Sequence, residues 1–222
     1  MLQKHTIKFL KDLKNNNDRL WFEAHRDEFE KAKIDFELFV EKTISVLGKT
    51  NPALANLVAK ECIFRIYRDV RFSKNKDPYK AHFSASLKEG GKKSTLCGVY
   101  IHIEPGGEWG SFIGGGFWHP EAAHLKKIRQ EIEYNHLEFF KIIENKKFKT
   151  MFGELVQEHK LKRLPKGLEP GNPAEEFLKL NSFLVTHPIE TKDITSAQLL
   201  KSISESYKTM MPLLNFLNRA LD

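Results

Sequence analysis

The spacing of apolar residues changes along this chain, and this change constrains the fold more than any other feature. After Asp18, a favourable N-cap residue, apolar residues recur at steps of three, four and seven up to Gly48 and Pro52. That spacing predicts a long amphipathic helix. From Cys62 to Phe72, apolar and polar residues instead alternate, which predicts a strand with Arg68 as an anomaly on its apolar face.

The remaining apolar patterns predict further strands and further helices. Strands are expected at 96–104, 109–113 and 182–189, and the first three strands along the chain are typical of an antiparallel meander. Helices are expected at 6–14, where Thr6 is the candidate cap, and at 120–145, 148–157, 173–180 and 196–221. With no repeat or linker, the sequence predicts one α+β domain over 1–222, a mostly antiparallel sheet flanked by long amphipathic helices.

Composition excludes several classes of protein. A hydrophobic share of 41% with 17 phenylalanines is typical of a globular chain rather than a disordered one. No apolar run approaches the roughly 20 residues that span a bilayer, and the N-terminus lacks a signal-peptide core. Cys62 and Cys97 match no disulfide framework or zinc spacing, so both are expected to be buried thiols. We therefore expect a cytoplasmic protein without a membrane partner, while its oligomeric state stays open.

Positive charge is concentrated in one segment of the chain. Between Lys60 and Lys93 there are ten basic and four acidic residues, so this segment holds most of the formal net charge of +7. A second basic group spans Lys160 to Lys166. Localised positive charge favours an anionic partner, such as a phosphate, a nucleotide, a nucleic acid or a carboxylate. Lys88 to Lys93 are expected to be loop residues that add only solubility.

The segment from Phe64 to Lys80 carries a long polar motif. Its marked positions are Arg65, Arg68, Asp69, Arg71, Phe72, Lys76 and Tyr79. These positions resemble the signature of a bacterial family, the domain of unknown function numbered 2461. Residues 16–22, 114–116 and 161–167 are also similar to that family, so the resemblance covers nearly the whole chain. The resemblance implies no particular activity.

The motif residues predict a site for a small anionic or phosphorylated ligand. Arginine matches the geometry of phosphate and carboxylate, and a guanidinium on an apolar face needs a paired charge. Asp69 is the candidate catalytic residue, either orienting the arginines or acting as a base. The candidate ligand-binding residues are Arg65, Arg68, Arg71, Lys76, Tyr79 and Lys80.

Two other functions are compatible with the same residues. The motif can form an internal ion-pair network in a non-catalytic structural or interaction protein, in which case loss of Asp69 would be severely destabilising. The net positive charge and the second basic group are compatible with nucleic-acid binding, which would weaken steeply with salt. The sequence leaves open whether the protein is an enzyme, and it identifies no cofactor.

The histidines and glycines give weaker signals. His119, Glu121 and His124 lie close together, and His102 and Glu104 can add ligands from one strand face. This spacing is not the His-Glu-x-x-His pattern, so no metal-binding residue is predicted. Residues 114–116 form a glycine triplet that fits either a backbone approach to a ligand or a tight bend between strand and helix. No cofactor-binding residue is predicted.

Overall fold

The computed structural model describes residues 1–221, and within them the chain forms nine α-helices and a four-stranded antiparallel sheet. The helices are α1 (Lys4–Asn15), α2 (Arg19–Ala24), α3 (Arg26–Gly48), α4 (Ala59–Cys62), α5 (Ala122–Tyr134), α6 (His136–Ile143), α7 (Lys146–Phe152), α8 (Glu175–Leu178) and α9 (Gln198–Arg219). The strands are β1 (Phe83–Leu87), β2 (Gly98–Ile103), β3 (Ser111–Phe117) and β4 (Phe183–Ile189). Their order in the sheet follows their order along the chain. The predicted α+β class is confirmed.

The chain divides into two compact units. One comprises residues 1–93, 100–113 and 188–205, and the other comprises residues 94–99, 114–187 and those from Ser206 onward. The whole predicted motif lies in the first unit. That the chain is a single domain stays a prediction.

The N-terminal helices bury a phenylalanine-rich face, as the periodicity predicts. Phe22, Phe29 and Phe36 are all at most 6% exposed. Asp18 caps α2, because its carboxylate accepts a hydrogen bond of 2.9 Å from the Trp21 backbone N–H. The prediction that Thr6 caps α1 is wrong. Thr6 lies inside the helix, and its hydroxyl donates instead to the Asp35 carboxylate of α3. The single long helix expected after Asp18 is divided at His25.

The strand expected at Cys62 to Phe72 is wrong. Residues 63–68 are extended and run antiparallel to residues 78–85, with isolated bridges at Ile63–Ala85 and Tyr67–Tyr79. We call residues 63–80 the motif ribbon, and residues 69–77 its tip. Pro78 has no N–H to donate, so a continuous ladder cannot form at that point. The alternation in sequence reports which side of an extended segment is buried, not whether the segment joins a sheet.

The glycine triplet lies inside β3 rather than at a bend. A Cβ on Gly115 would lie 2.4 Å from the Met210 sulfur of α9, and Gly116 has a φ of 123°. A Cβ on Gly116 would lie 2.0 Å from the Phe183 carbonyl oxygen of β4. The triplet therefore permits close packing within the second unit, where the sequence also allowed a ligand loop.

The C-terminal half follows the predicted order of elements with altered bounds. The helix expected at 120–145 forms as α5 and α6, separated by Asn135 in a non-helical conformation. β4 and α9 lie where a strand and a long helix were expected, and α9 contains Pro212. Within residues 1–221, no helix has the length and apolar character needed to cross a membrane.

Candidate functional site

Tyr79 anchors the motif ribbon to the N-terminal helices. Its ring is 5% exposed and stacks on Phe22 with ring centroids 3.9 Å apart. Asn17, between α1 and α2, holds the Tyr79 backbone from both sides. Its Nδ2 donates to the Tyr79 carbonyl at 2.9 Å, and its Oδ1 accepts from the Tyr79 N–H at 3.1 Å. This anchoring helps to fix the backbone position of Lys80, the next residue along the ribbon.

Arg68 and Lys76 hold the tip of the ribbon in its conformation. The Arg68 guanidinium donates to the Asp77 carbonyl at 3.0 Å and to the Ser73 hydroxyl at 3.3 Å. The Lys76 ammonium donates to the Val70 carbonyl at 3.1 Å. Both side chains therefore use part of their hydrogen-bonding capacity on the ribbon itself.

Asp69 and Arg71 form an exposed, local ion pair on the tip. Arg71 Nε lies 2.9 Å from Asp69 Oδ1, and its Nη2 lies 2.7 Å from Oδ2. Hydrogen bonds from the Arg71 side chain and backbone lower the pKa of the Asp69 carboxyl, with a smaller contribution from the charge of Arg65. A carboxylate held ionised in this way is a weak base.

Four cations converge where the ribbon meets β1. We call Arg65, Arg68, Lys80 and Lys92 the cationic cluster. The Lys80 and Lys92 ammonium nitrogens lie 5.7 and 5.2 Å from the centroid of the Phe64 ring. Burial lowers the pKa of Lys80, and the charges of Arg65, Arg68 and Lys92 lower it further. Among the residues that the structure describes, no carboxylate forms an ion pair with any member of the cluster.

Lys92 is a member that the sequence did not indicate. The stretch from Lys88 to Lys93 was expected to contribute solubility alone. Instead Lys92 is half-buried, and its ammonium donates to the Ile63 carbonyl at 2.8 Å. The neighbouring Lys93 is exposed. Ile63, whose carbonyl accepts from Lys92, is itself paired with β1. No local spacing in the sequence indicates this contact.

A second group of side chains lies on the polar face of β1 and β2. We call His82, His102 and Glu104 the histidine cluster, and the ligand atoms of these three residues lie within 4.8 Å of one another. The His82 and His102 ring centroids are 4.1 Å apart. His102 Nε2 lies 3.4 Å from Glu104 Oε2, and its Nδ1 lies 3.3 Å from the Tyr100 hydroxyl.

The two clusters share one electrostatic environment. Burial is the largest cause that lowers the pKa of His82, and together with His102, Lys80 and Arg68, in that order, it brings the value to about 3. Burial also lowers the pKa of His102, against the opposing effect of Glu104. Both imidazoles are therefore neutral at neutral pH, with a nitrogen lone pair available as an acceptor or ligand.

Residues 5–216 match the family described as conserved hypothetical protein (DUF2461). The chain belongs to this family. No curated protein and no solved structure matches it. Family membership, expected from the motif, is thus confirmed over nearly the whole chain.

In this member of the DUF2461 family, a cavity of about 570 Å³ lies between α3 and the motif ribbon. That volume is in the range of small-molecule sites. Its aromatic lining residues are Phe29, Phe36, Phe64, Tyr67 and Phe83. Arg65 and Lys92 line it as well, so two members of the cationic cluster reach the cavity.

The other candidates from the sequence lie in the second unit. The His119 backbone N–H donates to the Ser182 hydroxyl at 3.0 Å, and its ring centroid is 5.3 Å from that of His159. In the second basic group, Lys160 pairs with Glu176 at 3.0 Å. His82, by contrast, was missed. Its signal is the run of polar residues His82, Ser84 and Ser86, which alternate with the buried face of β1.

Proposed function

We propose that this protein binds a small organic anion, such as a phosphorylated or carboxylated metabolite, at the cationic cluster. The observation that carries the proposal is the convergence of four cations with no carboxylate partner among the described residues. Arg68, Lys80 and Lys92 are half-buried. Half-buried like charges destabilise one another, and an anion bound between them would reverse that effect.

The ligand's anionic group would contact Arg65, Arg68, Lys80 and Lys92. Its uncharged part would occupy the neighbouring cavity, where the phenylalanine rings provide an apolar wall. Arg71, Lys76 and Tyr79 would shape the ribbon rather than contact the ligand, because none of them belongs to the cationic cluster and each has a partner in the ribbon or in α2. We assign no reaction to Asp69, whose carboxylate pairs with Arg71.

We also propose that the protein binds its ligand in the cytoplasm. Cys62 and Cys97 are both buried thiols, which is typical of proteins in a reducing compartment. Fractionation of the native host would test the location.

A thermal-shift screen followed by calorimetry tests the ligand class. The screen would include inorganic phosphate, sugar phosphates, nucleotides, dicarboxylates and short oligonucleotides, each at low and high salt. A compound at a hundred times its dissociation constant adds about 2.7 kcal/mol to the free energy of unfolding. We expect one class of small anion to give a shift that persists at high salt.

Variants at adjacent lysines separate a discrete site from general positive charge. Lys92→Ala and Lys93→Ala remove the same charge one residue apart, but only Lys92 belongs to the cationic cluster. We expect Lys80→Ala and Lys92→Ala each to weaken binding about tenfold or more, as for a lost charge-assisted hydrogen bond, and Lys93→Ala to leave it unchanged. Equal losses at Lys92 and Lys93, or no binding of any small anion, would overturn the proposal.

Oligonucleotide binding has a different signature. It would weaken steeply with salt, because phosphate contacts release counterions. It would also be reduced as much by Lys74→Ala, on the exposed tip, as by Lys80→Ala. That result would favour nucleic-acid binding over the small-anion site.

A further inference from the structure

We propose that the histidine cluster binds a divalent transition-metal ion, such as zinc or iron(II), through two imidazoles and one carboxylate. His82 precedes β1, His102 lies on β2, and Glu104 follows β2 directly. Two histidines and one carboxylate are a ligand set that both ions accept, and it leaves coordination positions open. The site extends the proposed function but does not depend on it, since the metal ligands and the cationic cluster have no residue in common.

The spacing of the ligand atoms fits a metal ion. Zinc–nitrogen and zinc–oxygen bonds of about 2.0–2.2 Å place two tetrahedral ligand atoms about 3.3–3.5 Å apart. His102 Nε2 and Glu104 Oε2 are 3.4 Å apart. That separation is long for a hydrogen bond between a ring nitrogen and a carboxylate. All three ligand atoms lie within 4.8 Å of one another, so a small rotation of the side chains completes the set.

Neighbouring groups hold the ligands in this orientation. The Tyr100 hydroxyl lies 3.3 Å from His102 Nδ1, which leaves Nε2 directed at Glu104. The Trp109 backbone N–H donates to Glu104 Oε2 at 3.2 Å. Hydrogen bonds of this kind orient the ligands in metal sites.

Gly107 makes room for the Glu104 carboxylate in the turn after β2. A Cβ at this position would lie 1.9 Å from Glu104 Cδ. Any side chain at position 107 would therefore displace the carboxyl group. The turn leaves space for the Glu104 side chain, and the carboxyl group lies against the backbone of the turn at Gly107.

Glu104 also lacks a permanent cation. Its side chain is 12% exposed, and the His102 side chain beside it is 7% exposed. Among the described residues, neither a lysine nor an arginine forms an ion pair with Glu104. A nearly buried carboxylate without a cation is costly, and a bound metal ion would supply the missing positive charge.

Metal titration of the purified protein tests the inference. After chelation and dialysis into phosphate-free buffer, zinc is titrated against a chromophoric competitor, and cobalt(II) absorption reports the coordination geometry. We expect one zinc ion per chain. His102→Ala and Glu104→Gln should each weaken its binding more than about tenfold, and Tyr100→Phe should weaken it about tenfold through the lost orienting contact. His5→Ala, at an exposed histidine, is the control.

The outcome separates this inference from the anion site. Lys80→Ala should weaken anion binding about tenfold or more but retain zinc. Zinc uptake by a wild-type protein that binds no small anion would support the metal site alone. Zinc uptake that is absent in the wild type, or equal in the wild type, His102→Ala and Glu104→Gln, would overturn the inference. Circular dichroism of each variant confirms that a loss reflects the ligand and not unfolding.

Discussion

Asn17 is the residue on which we expect the position of the motif ribbon to depend most. It makes two hydrogen bonds to the backbone of Tyr79, 62 positions further along the chain, and both are partly buried. The change Asn17→Ala removes both bonds and leaves the Tyr79 N–H and carbonyl without these partners. Lys80, the next residue, would keep its own backbone bond to the Ile66 carbonyl but lose the support of the anchored Tyr79.

The cost follows from the geometry. A typical hydrogen bond contributes about 1 kcal/mol net, and a buried polar group left without a partner costs about 1–3 kcal/mol. Because both bonds are only partly buried, we expect Asn17→Ala to lower the free energy of unfolding by about 2–3 kcal/mol. For a chain of this length that corresponds to a fall in Tm of about 4–12 °C.

Urea denaturation with two companion variants checks the reasoning. Asn17→Asp keeps the acceptor for the Tyr79 N–H but loses the donor, so it should lie between the wild type and Asn17→Ala. Asn16→Ala removes only an exposed bond to the Asp12 carbonyl, and should cost less than about 1 kcal/mol. A loss for Asn17→Ala no larger than that for Asn16→Ala would refute the anchoring role.

Three further predictions concern the ribbon and its surroundings. Asp69→Ala should leave the thermal midpoint nearly unchanged, because its ion pair with Arg71 is exposed and local; a large fall in a thermal melt would instead support an internal ion-pair network. Phe72→Ser should not destabilise the protein in the same assay, because the Phe72 ring is 96% exposed. Burial raises the pKa of the Cys62 thiol above 9.0. The thiolate absorbance of Cys62, taken as the ultraviolet difference between the wild type and Cys62→Ser, should therefore appear at a higher pH than in an unfolded peptide, and its appearance at the same pH would contradict the shift.

The helices could be predicted from sequence because their periodicity extends over many residues. The phenylalanines of α3 repeat on one face over 23 residues, so individual exceptions do not obscure the pattern. The strands were harder. β1 alternates Phe83, Ala85 and Leu87 with serines, a composition of low β-propensity. The ribbon has the stronger alternation, yet Pro78 and irregular pairing keep it out of the sheet.

The location of the candidate site was partly predictable and its membership was not. All four members of the cationic cluster lie in the segment from Lys60 to Lys93, where the sequence has its excess of positive charge. Contacts between residues distant in sequence decide which lysines join the cluster. The sequence alone therefore could not indicate that Lys92 belongs to it and Lys93 does not. The sequence indicated two of the three residues of the histidine cluster, because His102 and Glu104 share one face of a predicted strand. His82 joins them only through the pairing of β1 with β2.

Within residues 1–221, the cationic cluster has no carboxylate partner, Glu104 of the histidine cluster has no lysine or arginine partner, and the two clusters do not pair with each other. This arrangement favours a bound ligand at each cluster. Glu104 and Lys80 act on the same His102 imidazole with opposite sign. In a purely structural network, the simplest arrangement would join them as an ion pair, which would satisfy both charges at once. Among the described residues they form no such pair. Instead, Gly107 and the Trp109 N–H keep the carboxylate in its turn. Ionisable groups that perturb one another in this way are more frequent at functional sites than elsewhere, which supports the two proposed sites.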